Sequence, residues 1–154
     1  MDYDLLVAQA ACLLADETDL IANAANFAAF IYHEIPELNW AGFYFTASSG
    51  ELVLGPFSGR PACTRLPKGR SVCGAAVTSG ETVVVDDVHA FADHIVCDSA
   101  SASEIVVPLR AGEAIAGVFD IDSPRIARFS AADRAGIEQL VQTFLKSSES
   151  ELMQ

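Results

Sequence analysis

Positive charge is scarce in this sequence of 154 residues. Nine Lys and Arg stand against 21 Asp and Glu, which gives a formal net charge of −12. Without a basic stripe to neutralise phosphates, binding to nucleic acid or to an anionic membrane surface is not expected. Long apolar runs are lacking too, because no stretch approaches the roughly 18 to 20 residues needed to span a bilayer. We therefore expect neither nucleic acid nor a membrane among the partners.

The start of the sequence, Met-Asp-Tyr-Asp, lacks the basic segment that opens a secretory signal peptide. Hydrophobic residues make up 51% of the chain and charged residues 19%, a composition that argues against disorder. These features predict a cytoplasmic protein, and the length predicts a single domain over residues 1–154.

Closely paired cysteines are also missing. The four cysteines, Cys12, Cys63, Cys73 and Cys97, are separated by 51, 10 and 24 positions, so there is no C-x-x-C motif. This argues against a zinc ribbon and against a thioredoxin motif, and without an export signal we expect mostly reduced thiols. Cys12 lies among the alanines and leucines of the first predicted helix, where we predict a buried structural thiol.

Hydrophobic periodicity predicts a short helix over 4–14 and a second, alanine-rich helix that Thr18 caps and Pro36 ends. The alanine face suits close packing against the first helix or against a partner subunit. Residues 39–45 and 51–57 predict a β-hairpin, 82–86 a strand, and 104–110 with 113–122 a second hairpin. Hairpin-joined strands with helices grouped at the chain ends predict an α+β domain with an antiparallel sheet.

The last predicted helix begins with a capping-box pattern, Ser130 followed by Asp133. Its apolar positions then recur at helical spacing, and we expect the tail after Lys146 to fray. On the strand before it, Asp120 and Asp122 share one face because side chains alternate with period two. The pattern leaves open whether these acids are solvated or line a pocket. The same holds for Trp40, which fits a core position and a pocket-facing one.

Most of the reactive side chains lie between residues 63 and 104. Cys63 occupies a basic loop rich in Gly and Pro, 58–70, which suits a thiol that exchanges partners. Ser71 predicts an N-cap for a helix over 72–79, and the dipole of that helix would favour the Cys73 thiolate. Asp98 would instead raise the pKa of its neighbour Cys97. Local electrostatics therefore predict Cys73 as the thiol of lowest pKa.

The element order resembles that of a GAF domain, and several short motifs are more specific. They are NWAGFY at 39–44, LGPF at 54–57, AC at 62–63, VCG at 72–74, HIVCD at 94–98 and SEIVVP at 103–108. These motifs resemble the free methionine-R-sulfoxide reductase family, and the likeness extends over nearly the whole chain. The resemblance implies a GAF-like antiparallel sheet flanked by N-terminal and C-terminal helices.

What the resemblance implies for chemistry is the reduction of free L-methionine-(R)-S-oxide. Cys97 would attack the sulfoxide sulfur and become a sulfenic acid, Cys63 would then form a disulfide with it, and Cys73 would be a secondary thiol. Thioredoxin would reduce the disulfide, with no bound cofactor or metal. Together with the alanine-rich helix, the resemblance also suggests a homodimer. The residues that match the family's substrate pocket are Trp40, Tyr44, Glu104, Asp120 and Asp122.

Three other functions remain open on the sequence. A GAF domain without enzymatic activity would bind a small ligand and form no disulfide with methionine sulfoxide. A thiol redox sensor would form its disulfide with peroxide. A zinc site would use His94, Cys97 and another cysteine, although H-x-x-C lacks a second paired motif.

Overall fold

The computed structural model describes residues 1–153. It contains four α-helices, α1 (Tyr3–Leu14), α2 (Leu20–Glu34), α3 (Ser71–Ser79) and α4 (Ala131–Leu152). The six strands are β1 (Trp40–Thr46), β2 (Leu52–Gly59), β3 (Arg65–Leu66), β4 (Val83–Val85), β5 (Ser103–Ala111) and β6 (Ala114–Ser123). A short 3-10 helix, Val88–Ala90, follows β4. Over the described residues, no helix combines the length and the apolar character that crossing a membrane requires.

The strands form one antiparallel sheet in the order β3-β2-β1-β6-β5-β4. Both predicted hairpins are present, β1 with β2 and β5 with β6, and the predicted α+β class is confirmed. Strand β3 lies inside the segment 58–70 that was predicted to be a loop, where it pairs with Leu52 and Val53 of β2. Two paired residues are too few to leave a periodic signal in the sequence.

Helices α1, α2 and α4 cover one face of the sheet, and α3 with the long loops covers the other. Side chains alternate between the two faces along each strand. On the helical face, Phe43 packs against Phe119 and against Phe144, each pair with ring centroids 4.7 Å apart. Phe27 of α2 joins this cluster. The aromatic core thus fills one face and leaves the other for a cavity.

The capping box at the start of α4 is confirmed, since Ser130 Oγ accepts from the Asp133 amide and the Asp133 carboxylate accepts from the Ser130 amide. The expected fraying after Lys146 is wrong, because α4 continues to Leu152. Its last turns are bound to α2: Glu151 Oε2 accepts the Leu20 amide at 2.8 Å. This contact joins residues 131 positions apart.

Two local expectations near the N-terminus are also corrected. Asp19, not Thr18, caps α2, with its carboxylate accepting the Ala22 amide at 2.8 Å. Cys12 is exposed and not buried. The buried stripe of α1 is Leu6, Ala10 and Leu14, a spacing of four residues, and Cys12 lies between two of its members on the opposite side of the helix.

Candidate active site

The cavity on the second face of the sheet holds about 480 Å³ of space that no atoms fill, part of it open to solvent. Strands β1, β5 and β6 form its floor, α3 one wall, and the loop of residues 92–101 another. Side chains that line it include Trp40, Tyr44, Cys73, His94, Cys97, Asp98, Glu104, Asp120 and Asp122. Of the eight site residues predicted from the sequence, only Cys63 is outside this lining.

Cys63 is joined to Cys97 by a disulfide, with Cα atoms 5.4 Å apart and 34 positions between them in the sequence. This is the pair that the family resemblance implied. Cys97 lines the cavity and Cys63 does not, so the bond ties the cavity wall to the basic loop, from which Ala62 and Leu66 also line the cavity. In this state neither sulfur is a thiolate, so the zinc site suggested for His94 and Cys97 lacks its sulfur ligand.

Trp40 and Tyr44 point into the cavity from β1, two positions either side of Gly42, and both are about 2% exposed. A Cβ atom at Gly42 would lie 2.3 Å from Phe57 Cβ and 2.7 Å from the Trp40 ring, so only glycine leaves room for these aromatics. Trp40 stacks on Phe57 with centroids 5.4 Å apart. The glycine of the NWAGFY motif is therefore required by packing.

The polar atoms of these two aromatic residues hold the basic loop at Arg60 and at Cys63 itself. Trp40 Nε1 donates to the Arg60 carbonyl at 3.1 Å, and the Tyr44 hydroxyl donates to the Cys63 carbonyl at 2.8 Å. The pKa of Tyr44 is raised, mainly by burial and to a smaller extent by the charges of the nearby acids, so the phenol stays a neutral donor. Sequence patterns did not reveal this second role, because the acceptors are backbone atoms about 20 positions away.

Three carboxyl groups lie side by side on the cavity floor. Glu104 of β5 pairs across the sheet with Asp122 of β6, and Asp120 is two positions back on the same face. Glu104 and Asp120 are each about 6% exposed. The open question about Asp120 and Asp122 is thereby answered: both line the pocket. Oxygen Oδ1 of Asp120 is buried and has no hydrogen-bond partner, so it is available to a donor that enters the cavity.

Burial raises the pKa of all three acids, since removal from water disfavours the charged form. Repulsion by the Asp120 charge adds to the effect at Glu104 and at Asp122, so the pKa of each lies well above its usual value. The pKa of Asp120 is raised less, to about 6, because hydrogen bonds from Glu104 and Cys73 stabilise its anion. Asp120 is thus the first of the three to ionise.

The expectation that Cys73 has the lowest thiol pKa is wrong. Cys73 does lie in the first turn of α3, but that helix begins at Ser71, with Arg70 and not Ser71 at the N-cap position. Ser71 Oγ accepts the Gly74 amide from within the first turn. The Cys73 thiol, however, is about 2% exposed, and burial together with the charges of Asp120 and Glu104 raises its pKa well above the ordinary value. These acids come from strands 31 and 47 positions away, and they outweigh the dipole of a nine-residue helix.

One group of three side chains could hold a metal ion among residues 1–153, formed by Cys73 Sγ and one oxygen each of Glu104 and Asp120. These atoms lie within 4.8 Å of one another. Burial raises the pKa of Cys73 and of Glu104 well above their usual values, so a metal would compete with protons at these two groups. The arrangement suits proton storage better than metal binding. His94 also lines the cavity, and burial lowers its pKa, which favours the neutral imidazole.

No role was predicted for Asn39 from the sequence, although this residue is the first of the NWAGFY motif. Its side-chain amide donates to Asp98 Oδ2 and to Ser101 Oγ, both at 3.0 Å. Asp98 directly follows Cys97, so Asn39 connects the start of β1 to the loop that carries this cysteine. Only the motif match could have identified it, because a single Asn before a strand is otherwise a common turn residue.

Comparisons with known proteins agree with this site. The sequence profile of the GAF domain family matches residues 8–144. The free methionine-R-sulfoxide reductase of Escherichia coli is 49% identical over 129 residues, which cover 84% of this chain and 78% of that protein. The reductase of the same name from Saccharomyces cerevisiae is 38% identical, covering 85% of this chain and 77% of the relative.

A solved structure has the same fold. The X-ray structure of free methionine-R-sulfoxide reductase from Neisseria meningitidis, in complex with its substrate, superposes with a TM-score of 0.91 at 44% sequence identity. The match covers 98% of this chain and 89% of that one. The family resemblance noted in the sequence is confirmed. The chain belongs to the free methionine-R-sulfoxide reductases, a family of enzymes built on the GAF domain.

Proposed function

We propose that this protein reduces the R-sulfoxide of free methionine to methionine. The observation that carries the proposal is the Cys63–Cys97 disulfide at the edge of a cavity floored by three neighbouring carboxyl groups, in a chain of this family. In the overall reaction two thiols lose two electrons and two protons to form the disulfide. The sulfoxide gains them, and its oxygen leaves as water.

Cys97 is our choice for the attacking thiol because its side chain lines the cavity and that of Cys63 does not. Its sulfur attacks the sulfoxide sulfur and takes over the oxygen, which gives a sulfenic acid and free methionine. The Cys63 sulfur then attacks the sulfenic sulfur, and the oxygen departs as water while the disulfide forms. Cys73 stays a protonated thiol and supports this pair, because its pKa is raised.

Glu104 and Asp122 fit the role of proton donors to the sulfoxide oxygen, since burial and the Asp120 charge raise their pKa values and so favour the protonated form. Asp120 ionises most readily, and its unpaired oxygen Oδ1 suits the ammonium group of the amino acid. Inside a peptide that nitrogen is an uncharged amide, so the carboxylate would lose its partner. This gives a physical reason for a preference for free methionine sulfoxide. Trp40 and Tyr44 would contact the S-methyl group.

Thioredoxin is the reductant that we propose for the disulfide, and the cytoplasm is the compartment, because every turnover requires the disulfide to be reduced again. The basic loop beside Cys63 offers a docking surface on an otherwise acidic protein. Arg60, Lys68 and Arg70 are all exposed, and in the part of the chain that the structure describes none of them forms an ion pair. An acidic face on the reductant would be attracted to these charges.

A homodimer remains part of the proposal. Leu5 and Leu13 of α1 and Ile21 of α2 are 53%, 42% and 60% exposed, so these two helices present apolar side chains to the outside. They make the surface of these two helices our candidate for the interface. Sedimentation equilibrium of the wild-type protein and of Ile21→Glu would show whether a dimer forms and whether this surface is part of it.

The function is tested by a thioredoxin-coupled assay with the separated R and S epimers of free methionine sulfoxide. We expect turnover of the R epimer alone, and activity only on the S epimer or only on a peptide substrate would contradict the proposal. In single turnover without reductant, Cys97→Ser should release no methionine. Cys63→Ser and Cys73→Ser should still release up to one equivalent. Loss of this release in Cys73→Ser with full release in Cys97→Ser would reverse our assignment.

A thiol redox sensor is the second candidate, because the same disulfide would record oxidation by peroxide. The two functions differ in which oxidant closes the Cys63–Cys97 bond. We expect stoichiometric methionine sulfoxide to form the disulfide within one turnover. A protein that forms it with peroxide and not with the R-sulfoxide would be a sensor.

A further inference from the structure

The loop of residues 92–101, which we call the Cys97 loop, is held to the rest of the protein at few points. It has no helix or strand. The disulfide holds it, and the His94 amide forms a turn at its start by donating to the Phe91 carbonyl. Within residues 1–153, two other residues outside the loop form hydrogen bonds with it. The Ser71 amide donates to the Asp93 carbonyl at 3.1 Å, and the Asn39 side chain donates to Asp98 and Ser101. Of these two contacts, only the one from Asn39 is made by a side chain.

Asn39 is itself rigidly placed and oriented. Its backbone amide donates to the Asp122 carbonyl at 3.0 Å, directly before β1 begins. Both hydrogens of its side-chain amide are used by the loop, while its oxygen Oδ1 is buried without a partner. The Asp98 carboxylate can only accept, so it fixes this orientation of the amide. An unpaired buried acceptor is unfavourable for stability, and such groups cluster where a protein has a functional reason to keep them.

We propose that Asn39 is a positioning residue for the second chemical step, in which Cys63 attacks the sulfenic acid on Cys97. This inference rests on the proposed function. The two bonds from Asn39 fall one and four positions after Cys97, so they determine how far this cysteine lies from the basic loop. In the structure they coexist with the closed disulfide, which places them in the state that the second step produces.

The first step depends less on Asn39. Methionine sulfoxide would be held by the carboxyl groups and aromatic residues of the cavity floor, none of which is hydrogen-bonded to the Asn39 side chain. The two acceptors of that side chain, Asp98 and Ser101, line the wall formed by the Cys97 loop. The second step has no substrate to hold the two sulfurs together. It depends on the position of the loop alone. Loss of the bonds from Asn39 should therefore separate the two rates, with the sulfenic acid as the species that accumulates.

Asn39→Asp tests this by placing a carboxylate against Asp98. In single turnover of the reduced protein, methionine release should stay within a few-fold of wild type. Disulfide formation should slow by about ten- to hundredfold, the effect of losing a hydrogen bond to a charged group. A dimedone adduct on Cys97, detected by mass spectrometry after rapid quenching, should become abundant.

The control is the exchanged pair, Asn39→Asp with Asp98→Asn. The amide nitrogen introduced at position 98 could then donate to the carboxylate at position 39. The amide oxygen at position 98 would still accept the Ala100 amide, as Asp98 Oδ1 does now. We expect disulfide formation to recover in this double variant, which has the wild-type net charge. Asn26→Asp, an exposed change on α2, gives the effect of the added charge alone and should leave both rates unchanged.

Three results would overturn the inference: an unchanged rate of disulfide formation in Asn39→Asp, an equal loss in both steps, or no recovery in the exchanged pair. Circular dichroism melts of each variant show whether an equal loss reflects unfolding, and a general loss of structure would also count against a positioning role. If the wild-type protein itself releases no methionine, the proposed function fails instead. The two failures are therefore distinguishable.

Discussion

Glu104→Gln should make the reduced protein less sensitive to rising pH while it slows the first chemical step. The substitution keeps the size of a side chain that is about 6% exposed and removes its ability to ionise. Burial and the Asp120 charge raise the pKa of Glu104 well above its usual value. In the unfolded chain the same carboxyl releases its proton near pH 4.3, so between that pH and the raised pKa the folded state holds a proton that the unfolded state has lost.

The size of the effect follows from this one proton. Between the unfolded and the folded pKa, the folded state binds more protons, so the free energy of unfolding falls as pH rises. For one group the slope is about 1.4 kcal/mol per pH unit. Gln at position 104 removes that contribution. The stability of the variant relative to wild type should therefore increase from pH 5 to pH 8. The contribution of position 104 itself to this increase is at most about 1.4 kcal/mol per pH unit.

Urea unfolding at pH 5, 6, 7 and 8, with a phosphine reductant to keep the cysteines as thiols, measures this difference. Glu113→Gln, on the exposed turn between β5 and β6, is the matched control and should follow the wild-type pH dependence. If the curves of Glu104→Gln and wild type run parallel over this range, Glu104 is ionised in the folded protein and the reasoning fails. Methionine release in single turnover should fall by about 10²- to 10⁴-fold, the usual contribution of a general acid.

Three further changes test the core, the helix cap and the docking loop. Phe144→Ala should lower the free energy of unfolding by about 3–5 kcal/mol in urea titrations, because its ring is fully buried in the aromatic cluster. Ser130→Ala should cost about 1 kcal/mol in the same assay, and no loss would mean that the capping box is not stabilising. Lys68→Glu with Arg70→Glu should lower kcat/KM for thioredoxin several-fold and weaken its salt dependence, with dithiothreitol-driven turnover unchanged. Arg134→Glu on α4 is the control, and equal losses with both reductants would exclude docking at the loop.

The elements that the sequence predicted well are those with a repeating pattern of their own. The two hairpins and the apolar stripe of α4 repeat over many residues, so a single misplaced residue does not change the interpretation. The end of α4 was misjudged because its stability comes from elsewhere. Glu151 accepts the Leu20 amide, and Ser148 is fully buried beside Asn23 of α2. Contacts between residues this far apart in the sequence leave no local trace.

The same limit explains the error at Cys73. The dipole of α3 is a local property and could be inferred from the positions of Ser71 and Cys73. Burial by the sheet and the charges of Asp120 and Glu104 depend on how distant strands meet, and they act in the opposite direction. The family resemblance assigned the attack to Cys97, whereas local electrostatics favoured Cys73. The geometry gives one reason to prefer Cys97, since the raised pKa of Cys73 keeps that thiol neutral.

Protonation of the cavity floor also resolves a conflict between the acids and the chemistry. Three ionised carboxylates would repel the thiolate of Cys97 and the carboxylate of an incoming amino acid. With Glu104 and Asp122 protonated, at most one negative charge remains, on Asp120, and it can pair with the ammonium group of the substrate. In the proposed reaction either acid could lend a proton to the sulfoxide oxygen, and the protons released by the thiols would restore it. In the proposed reaction, burial of the acids would therefore serve substrate binding, nucleophile charge and proton supply together, and it requires carboxyl groups that neighbour one another on one face of the sheet.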